Sequence, residues 1–234
     1  MSFEILTLFE INAFVLIVST ISMAILSIIY LRPHQSVFSL MLLVPAVAAL
    51  AYVFMSLEIG FVQTGDGVVN SVRYIDWLIT TPILLYILAY VSVPDSGERL
   101  RTFLYLFVTD MVMLVAGIGA ELFTGGLKIT LFVLSTLAYI GMLYVVINLM
   151  INLNKSALAQ KQRTIALTMA WVILILWSVY PFIWVFGTQG VAAVGVQGET
   201  IAYMILDVLT KVGFASLLLW YLHLQTKVSL KSKT

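Results

Sequence analysis

Residues 200–224, TIAYMILDVLTKVGFASLLLWYLHL, decide the fold. A helix needs about 20 mostly apolar residues to cross the hydrocarbon of a bilayer, and this run supplies them. Yet it carries Asp207 and Lys211 near its middle. At i and i+4 the two share one helical face, one turn apart. A charge near the bilayer centre costs about 2.5–3.5 kcal/mol on insertion scales, so the pair marks a functional site by default.

Working outward, six further runs read the same way: 8–31, 36–58, 71–93, 100–122, 129–152 and 164–187. The connectors between them are short and polar, such as QTGDG at 63–67, PDSGER at 94–99 and TGGLK at 124–128. The first run lacks a basic leader and is too long for a signal h-region, so it is expected to stay in the chain. Backbone polar groups have no partners in lipid, so seven such runs mean seven helices. The expectation is an all-α, seven-transmembrane-helix bundle over 1–225, with a short basic tail at 226–234. Composition agrees: 62% of the 234 residues are hydrophobic, 10% are charged and the mean hydropathy is +1.09. A soluble domain carries roughly 25% charged residues, so a water-soluble globule is excluded. With 12 Lys+Arg against 11 Asp+Glu there is no basic face for nucleic acid. Without cysteine there are no disulfides, thiolate metal sites or thiol nucleophiles, and no metal site is expected.

Arg32, Arg99, Arg101, Lys155, Lys161, Arg163, Lys227, Lys231 and Lys233 all follow odd-numbered runs, nine of the twelve basic residues. The opposite side has Lys128, with Glu4, Glu58, Asp66, Glu121 and Glu199. Positive charge marks the cytoplasmic side. The N-terminus is therefore expected outside, the C-terminus is cytoplasmic, and the protein is multi-pass in the plasma membrane. His34 and His223 fall near the cytoplasmic ends and read as interfacial residues.

Arg73, Asp76, Asp207 and Lys211 lie within the runs and sum to zero charge, which a low-dielectric interior tolerates if they meet. Asp110 is a fifth ionisable residue, midway along the fourth run. Arg73, Asp76, Trp77, Thr80, Thr81 and Leu84 share one face of the third helix. Trp177, Tyr180, Pro181 and Trp184 share one face of the sixth. Taken singly, the charges also suit a structural ion network, and the aromatics plain helix packing. Taken together, a buried lysine, two acids and aromatic walls suggest a pocket for a long apolar carbonyl compound, since a desolvated lysine is suited to Schiff-base formation.

Three stretches carry a resemblance. RYIDWLITTPILLY at 73–86, WSVYPFIW at 177–184 and LDVLTKVGF at 206–214 resemble the third, sixth and seventh helices of the archaeal-type microbial rhodopsins. The resemblance covers all seven runs. It implies that Lys211 binds retinal as a protonated Schiff base. It also implies that Asp76 is counterion and proton acceptor, Asp207 the second counterion, and Arg73 the holder of the cluster on its outer side. Trp77, Trp177, Tyr180 and Trp184 match the retinal cage, with Thr80, Leu84 and Pro181 on the same faces. Tyr52 matches a tyrosine near the counterions. Thr81 and Asp110 match a hydrogen bond between helices three and four. Met113, Gly117, Phe132, Ser135, Thr136 and Tyr139 fall at other retinal-contacting positions.

The family includes proton pumps, chloride pumps and photosensors. Asp76 argues against a chloride pump, where an anion takes the carboxylate's place. Ile87 occupies the position of a fast pump's cytoplasmic proton donor. Of the pump's paired outer glutamates, Glu199 matches one and Gln189 replaces the other. Tyr86 in the YIDW…TTP…Y pattern, and Thr210 beside Lys211 with Tyr180 in place, resemble the sensory rhodopsin II branch. There the threonine and tyrosine bond across helices six and seven. A bond to its own preceding turn is the plain reading of Thr210. Ile205 departs from that branch, which has a tyrosine there to grip a two-helix transducer. The mixture resembles the middle rhodopsins of haloarchaea. The resemblance implies a photoreceptor with a slow photocycle and proton transfer to Asp76, not an enzyme, with a weak or slow outward proton pump as the alternative. A seven-helix transporter or receptor without chromophore is the reading from another class. Lipid, a two-helix transducer and a second copy of the chain are the partners implied.

Overall fold

The structure is a computed structural model describing residues 1–31, 35–64, 67–156 and 158–231. Arg32, His34, Asp66 and Lys233, named above, lie outside the described residues. The helices are α1 (Phe3–Tyr30), α2 (Gln35–Ser56), α3 (Ser71–Ser92), α4 (Ser96–Leu122), α5 (Gly125–Asn154), α6 (Gln160–Phe186), α7 (Val196–Asp207) and α8 (Gly213–Lys231). A π-helical turn, Val208–Val212, joins α7 to α8, so the two form one rod. Seven rods among the described residues are long and apolar enough to cross a membrane, as the sequence reading expects.

The helices overrun the apolar stretches because polar residues cap and continue them. The Asp95 carboxylate accepts the amide of Glu98 at 2.8 Å, so α4 starts at Ser96 rather than 100. Asn70 accepts the amide of Arg73 at 3.3 Å and starts α3 one turn below the charged cluster. One correction concerns the loop before it. β1 (Phe61–Thr64) and β2 (Gly67–Asn70) form an antiparallel hairpin, Phe61 opposite Asn70 and Thr64 opposite Gly67. These strands are four residues long, too short for an alternation to stand out from a connector.

Large apolar side chains such as Phe14, Leu137 and Tyr144 face outward, where lipid replaces water. α3 is the most enclosed span, whereas α5 is largely exposed to lipid. That is why α3 can carry an acid. The buried apolar side chains fall into two groups. A larger one runs through Leu84, Ile87, Leu88, Val91, Met169, Ile173, Phe214 and Leu218. A smaller one joins Phe9, Leu16, Tyr52, Met55 and Val72. The charged cluster lies between these two regions.

Gly60 opens the hairpin at φ +85°, and a Cβ there would stand 2.1 Å from Val72 Cγ2. Gly60→Ala is expected to cost about 1–3 kcal/mol, since both the left-handed backbone and the packing oppose it. Gly213→Ala, where a Cβ meets nothing within 4 Å, is expected to be near neutral. Thermal unfolding of the detergent-solubilised variants compares the two.

Candidate functional site

The seventh rod and α3 supply the centre. Lys211 is 2% exposed, and Asp76 and Asp207 are 2% and 1% exposed. A buried cation needs its partners at hand. Lys211 Nζ is in contact with Asp76 Oδ2 and lies 3.4 Å from Asp207 Oδ1. The π-helical turn widens the backbone at Lys211, the Gly213 amide donating to Val208 O. Such turns recur at functional sites. The two acids are held differently. Asp207 receives the Tyr52 hydroxyl at 2.7 Å on Oδ2 and the Tyr180 hydroxyl at 2.9 Å on Oδ1. Asp76 Oδ1 has no partner. Asp207 is thus held through both oxygens by tyrosines of α2 and α6, while Asp76 is held through the oxygen that meets Lys211.

Arg73 stands apart from the direct Lys211–acid contacts. No salt bridge joins Arg73 to Asp76 or Asp207. The guanidinium carbon sits 4.1 Å from the ring centre of Tyr203 instead, a cation–π contact. Tyr203, 3% exposed, also packs on Trp77 and Tyr180 at 5.8 Å each.

Beside Lys211 opens a cavity of about 870 Å³, its open side included. Its walls include Trp77, Thr81, Leu84, Met113, Gly117, Phe132, Ser135, Thr136, Tyr139, Trp177, Tyr180, Pro181, Trp184, Thr210 and Lys211 itself. All were named from the sequence. Aromatic edges set the wall shape: Trp77 stands edge-on to Tyr180 at 5.3 Å, and Phe132 stacks on Trp184 at 4.5 Å. Thr80 is the exception. It is completely buried off the cavity wall, its hydroxyl donating to the Asp76 carbonyl at 2.8 Å. The α3 face is wide enough that Thr80 turns behind Asp76 while Thr81 turns toward α4.

Around the cavity, the Thr81 hydroxyl donates to Asp110 Oδ2 at 2.7 Å, as the resemblance implies. Tyr139 and Ser178 hydroxyls lie 2.8 Å apart, and Ser135 donates to the Met113 carbonyl at 2.8 Å. The Tyr180 and Thr210 oxygens lie 3.4 Å apart, longer than an ordinary O–H···O bond. Thr210 donates at 2.7 Å to Leu206 O in its own helix, and Tyr180 donates to Asp207. The two hydroxyls touch, but their protons are committed elsewhere. Near the N-terminal end of the rod, Glu199 accepts the Thr188 amide and hydroxyl at 2.9 Å each, and Gln189 donates to Val68 O at 3.2 Å.

Tyr74, Leu114 and Tyr203 line the cavity without having been named as wall residues. Periodicity could have found them: Tyr203 precedes Asp207 by four residues, and Leu114 follows Asp110 by four. Glu121, noted only as an outer-side acid, is buried at 8% exposure and bonded to Tyr74 and Trp184.

Fold and site define a seven-helix membrane protein with an amine, matched by two acids, at the wall of an aromatic slot. The chain matches the family model described as bacteriorhodopsin-like protein over residues 5–226. It is 36% identical to archaerhodopsin-2 of Halobacterium sp. (strain aus-2) over 80% of this chain and 73% of that protein. It is 32% identical to sensory rhodopsin-2 of Natronomonas pharaonis over 73% of this chain and 70% of that one. Among solved structures, the thermophilic rhodopsin from Rubrobacter xylanophilus superposes with a TM-score of 0.87 at 31% identity, covering 93% of this chain and 95% of that one. The chain belongs to the bacteriorhodopsin-like family. It is a multi-pass protein of the plasma membrane. Retinal, which this family binds as a Schiff base on a lysine, is its cofactor. The residues present fit that group: an apolar aromatic slot meets one buried amine whose charge is balanced by acids.

Thr81→Val is expected to destabilise by about 1–3 kcal/mol, because it strips Asp110 of its partner in a dry environment. Thr81→Val with Asp110→Leu is expected to recover most of that loss. A thermal-stability double-mutant cycle checks it, and equal losses for the single and double variants would contradict the assignment.

Proposed function

We propose that this chain is a photosensory receptor of the sensory-rhodopsin type, carrying retinal on Lys211 and completing its cycle slowly. The observation that carries the reading is Ile87. It is completely buried with Leu84, Leu88, Val91, Phe214 and Leu218 on the Ile87 side of Lys211. Hydrocarbon carries no proton, so a proton lost from the lysine nitrogen is replaced slowly from that side. A long-lived photoproduct suits signalling and limits turnover. The charge bias of the connectors supports an outside N-terminus and a cytoplasmic C-terminus, which puts Ile87 on the cytoplasmic side of Lys211.

Retinal, when bound, supplies photon absorption and rotation about a double bond. The remaining work belongs to the chain. Asp76 Oδ2, already against Lys211 Nζ, receives the proton that leaves that nitrogen. Asp207 keeps both its oxygens occupied by tyrosine hydroxyls. Neutralising the nitrogen and Asp76 removes the electrostatic tie between α3 and the seventh rod. Tyr180 then loses the pull of a balanced cluster. Its hydroxyl, 3.4 Å from Thr210, can exchange Asp207 for Thr210 and let α6 shift. Trp77, Trp177 and Trp184 orient the chromophore and exclude water. A two-helix partner against the seventh rod would meet Ile205, 55% exposed, through apolar contact instead of a tyrosine hydrogen bond.

The second reading, a slow outward proton pump, is favoured by the direct Lys211–Asp76 contact, which transfers a proton equally well in a transporter. Lys211→Ala is expected to abolish the visible absorption band on adding all-trans retinal, and a covalent pigment in that variant would overturn the attachment site. Ile87→Asp should speed recovery after a flash by roughly 10²-fold, the range of a positioned proton donor. Unchanged decay would contradict the donor argument. External pH under illumination separates the two functions: sustained acidification abolished by a protonophore would replace the receptor with the pump.

A further inference from the structure

Glu121 is, with Asp110, a buried acid that the mechanism above leaves unused. It stands near the end of α4, on the stripe that runs from Asp110 through Leu114 and Gly117. One oxygen, Oε1, accepts two hydrogen bonds: the Tyr74 hydroxyl at 2.6 Å and the Trp184 indole N–H at 3.0 Å. Tyr74 belongs to α3 and Trp184 to α6, and the rings of both form cavity wall. Each ring is braced again. Tyr74 stands edge-on to Trp77 at 5.2 Å, and Trp184 stacks on Phe132 of α5. A single carboxyl oxygen therefore fixes the relative position of α3, α4 and α6 at the Trp184 end of the slot.

Packing alone does not call for an acid here. A carboxyl group removed from water costs free energy unless its partners are in place, and an apolar side chain of similar size would fill the same space. The acid contributes one oxygen that accepts from donors on opposite walls, which an apolar side chain cannot do, and leaving those donors unpaired in the interior would cost free energy. Trp177 and Trp184 are seven residues apart on α6, about 10 Å along the axis. The Trp184 end is thus a separate part of the α6 wall, and Glu121 bonds it directly to α4.

We propose that Glu121 is a positioning residue of the chromophore slot. It pins Tyr74 and Trp184 through one oxygen, so that displacement of the Trp184 wall by light is felt directly by α4. The inference rests on the retinal reading of the slot. Three chains reconstituted with all-trans retinal test it: the parent, Glu121→Gln, which keeps a carbonyl acceptor, and Glu121→Leu, which has none.

The expected result has three parts. Glu121→Leu shifts the absorption maximum and bleaches in hydroxylamine about five-fold faster in the dark, the factor that a lost hydrogen bond of about 1 kcal/mol gives. Glu121→Gln stays within about two-fold of the parent, well inside that margin. In light-minus-dark infrared spectra the parent shows a carboxyl signal that Glu121→Gln removes and a tryptophan N–H signal that it shifts. Should Glu121→Leu not fold, Tyr74→Phe takes its place, since it deletes only the hydroxyl aimed at Glu121, and the same shift and faster bleaching are expected. Infrared spectra of parent and Glu121→Gln that superimpose would overturn the proposal. So would bleaching at the parental rate in Glu121→Leu or its substitute. A parent that forms no pigment at all would instead overturn the retinal reading, before Glu121 is tested.

Discussion

The rest of the structure depends on keeping one ammonium charge inside hydrocarbon. Lys211 Nζ has two carboxylates at hand and almost no solvent. Removing one member of such a cluster leaves an uncompensated buried charge, which typically costs about 3–5 kcal/mol. That constraint places α3 and the seventh rod at the centre, because they carry the charges. It also explains the tyrosines. Two acids beside one cation leave a net negative charge, and the hydroxyls of Tyr52 and Tyr180 spread it over Asp207. Arg73 adds the balancing cation from a position over Tyr203.

Most of this was legible in the sequence because membrane spans leave few options. Seven apolar runs fix seven rods, and charges within them stand out against their surroundings. Helical spacing then placed Asp207 with Lys211 and Trp77 with Asp76. The resemblance extended the reading to the cavity wall, and the geometry places Met113, Phe132, Ser135 and Tyr139 there. What escaped was of two kinds. The hairpin at 61–70 and the π-helical turn at Lys211 are short backbone features with no periodic signal. Tyr203 and Glu121 had a signal, since each shares a stripe with an expected residue, but an aromatic near a span end reads as an interface anchor and an acid there as a solvated charge. Thr80 erred in the opposite direction. Sharing a face with Asp76 did not bring it to the cavity, because a helical face is broader than the slot it borders.

The two halves of the bundle differ in kind. On the Ile87 side of Lys211 the interior is aliphatic and aromatic, with Leu84, Ile87, Leu88, Val91 and Leu218 filling it. On the Arg73 side it is polar and bonded, through Tyr52, Glu121, Gln189 and Glu199. A proton leaving Lys211 therefore finds its contacting acceptor, Asp76, at the border of the polar half. Net transport across a membrane needs access from both sides in turn, with the second access fast enough to matter. A signal needs only the first step and time. On the proposed receptor reading, the apolar half slows re-entry of a proton without forbidding it, so that charge separation is followed by a long pause and then recovery. That proposed order would separate a receptor from an efficient pump built on the same helices, and it would rest on a few buried side chains around Ile87 rather than on the fold.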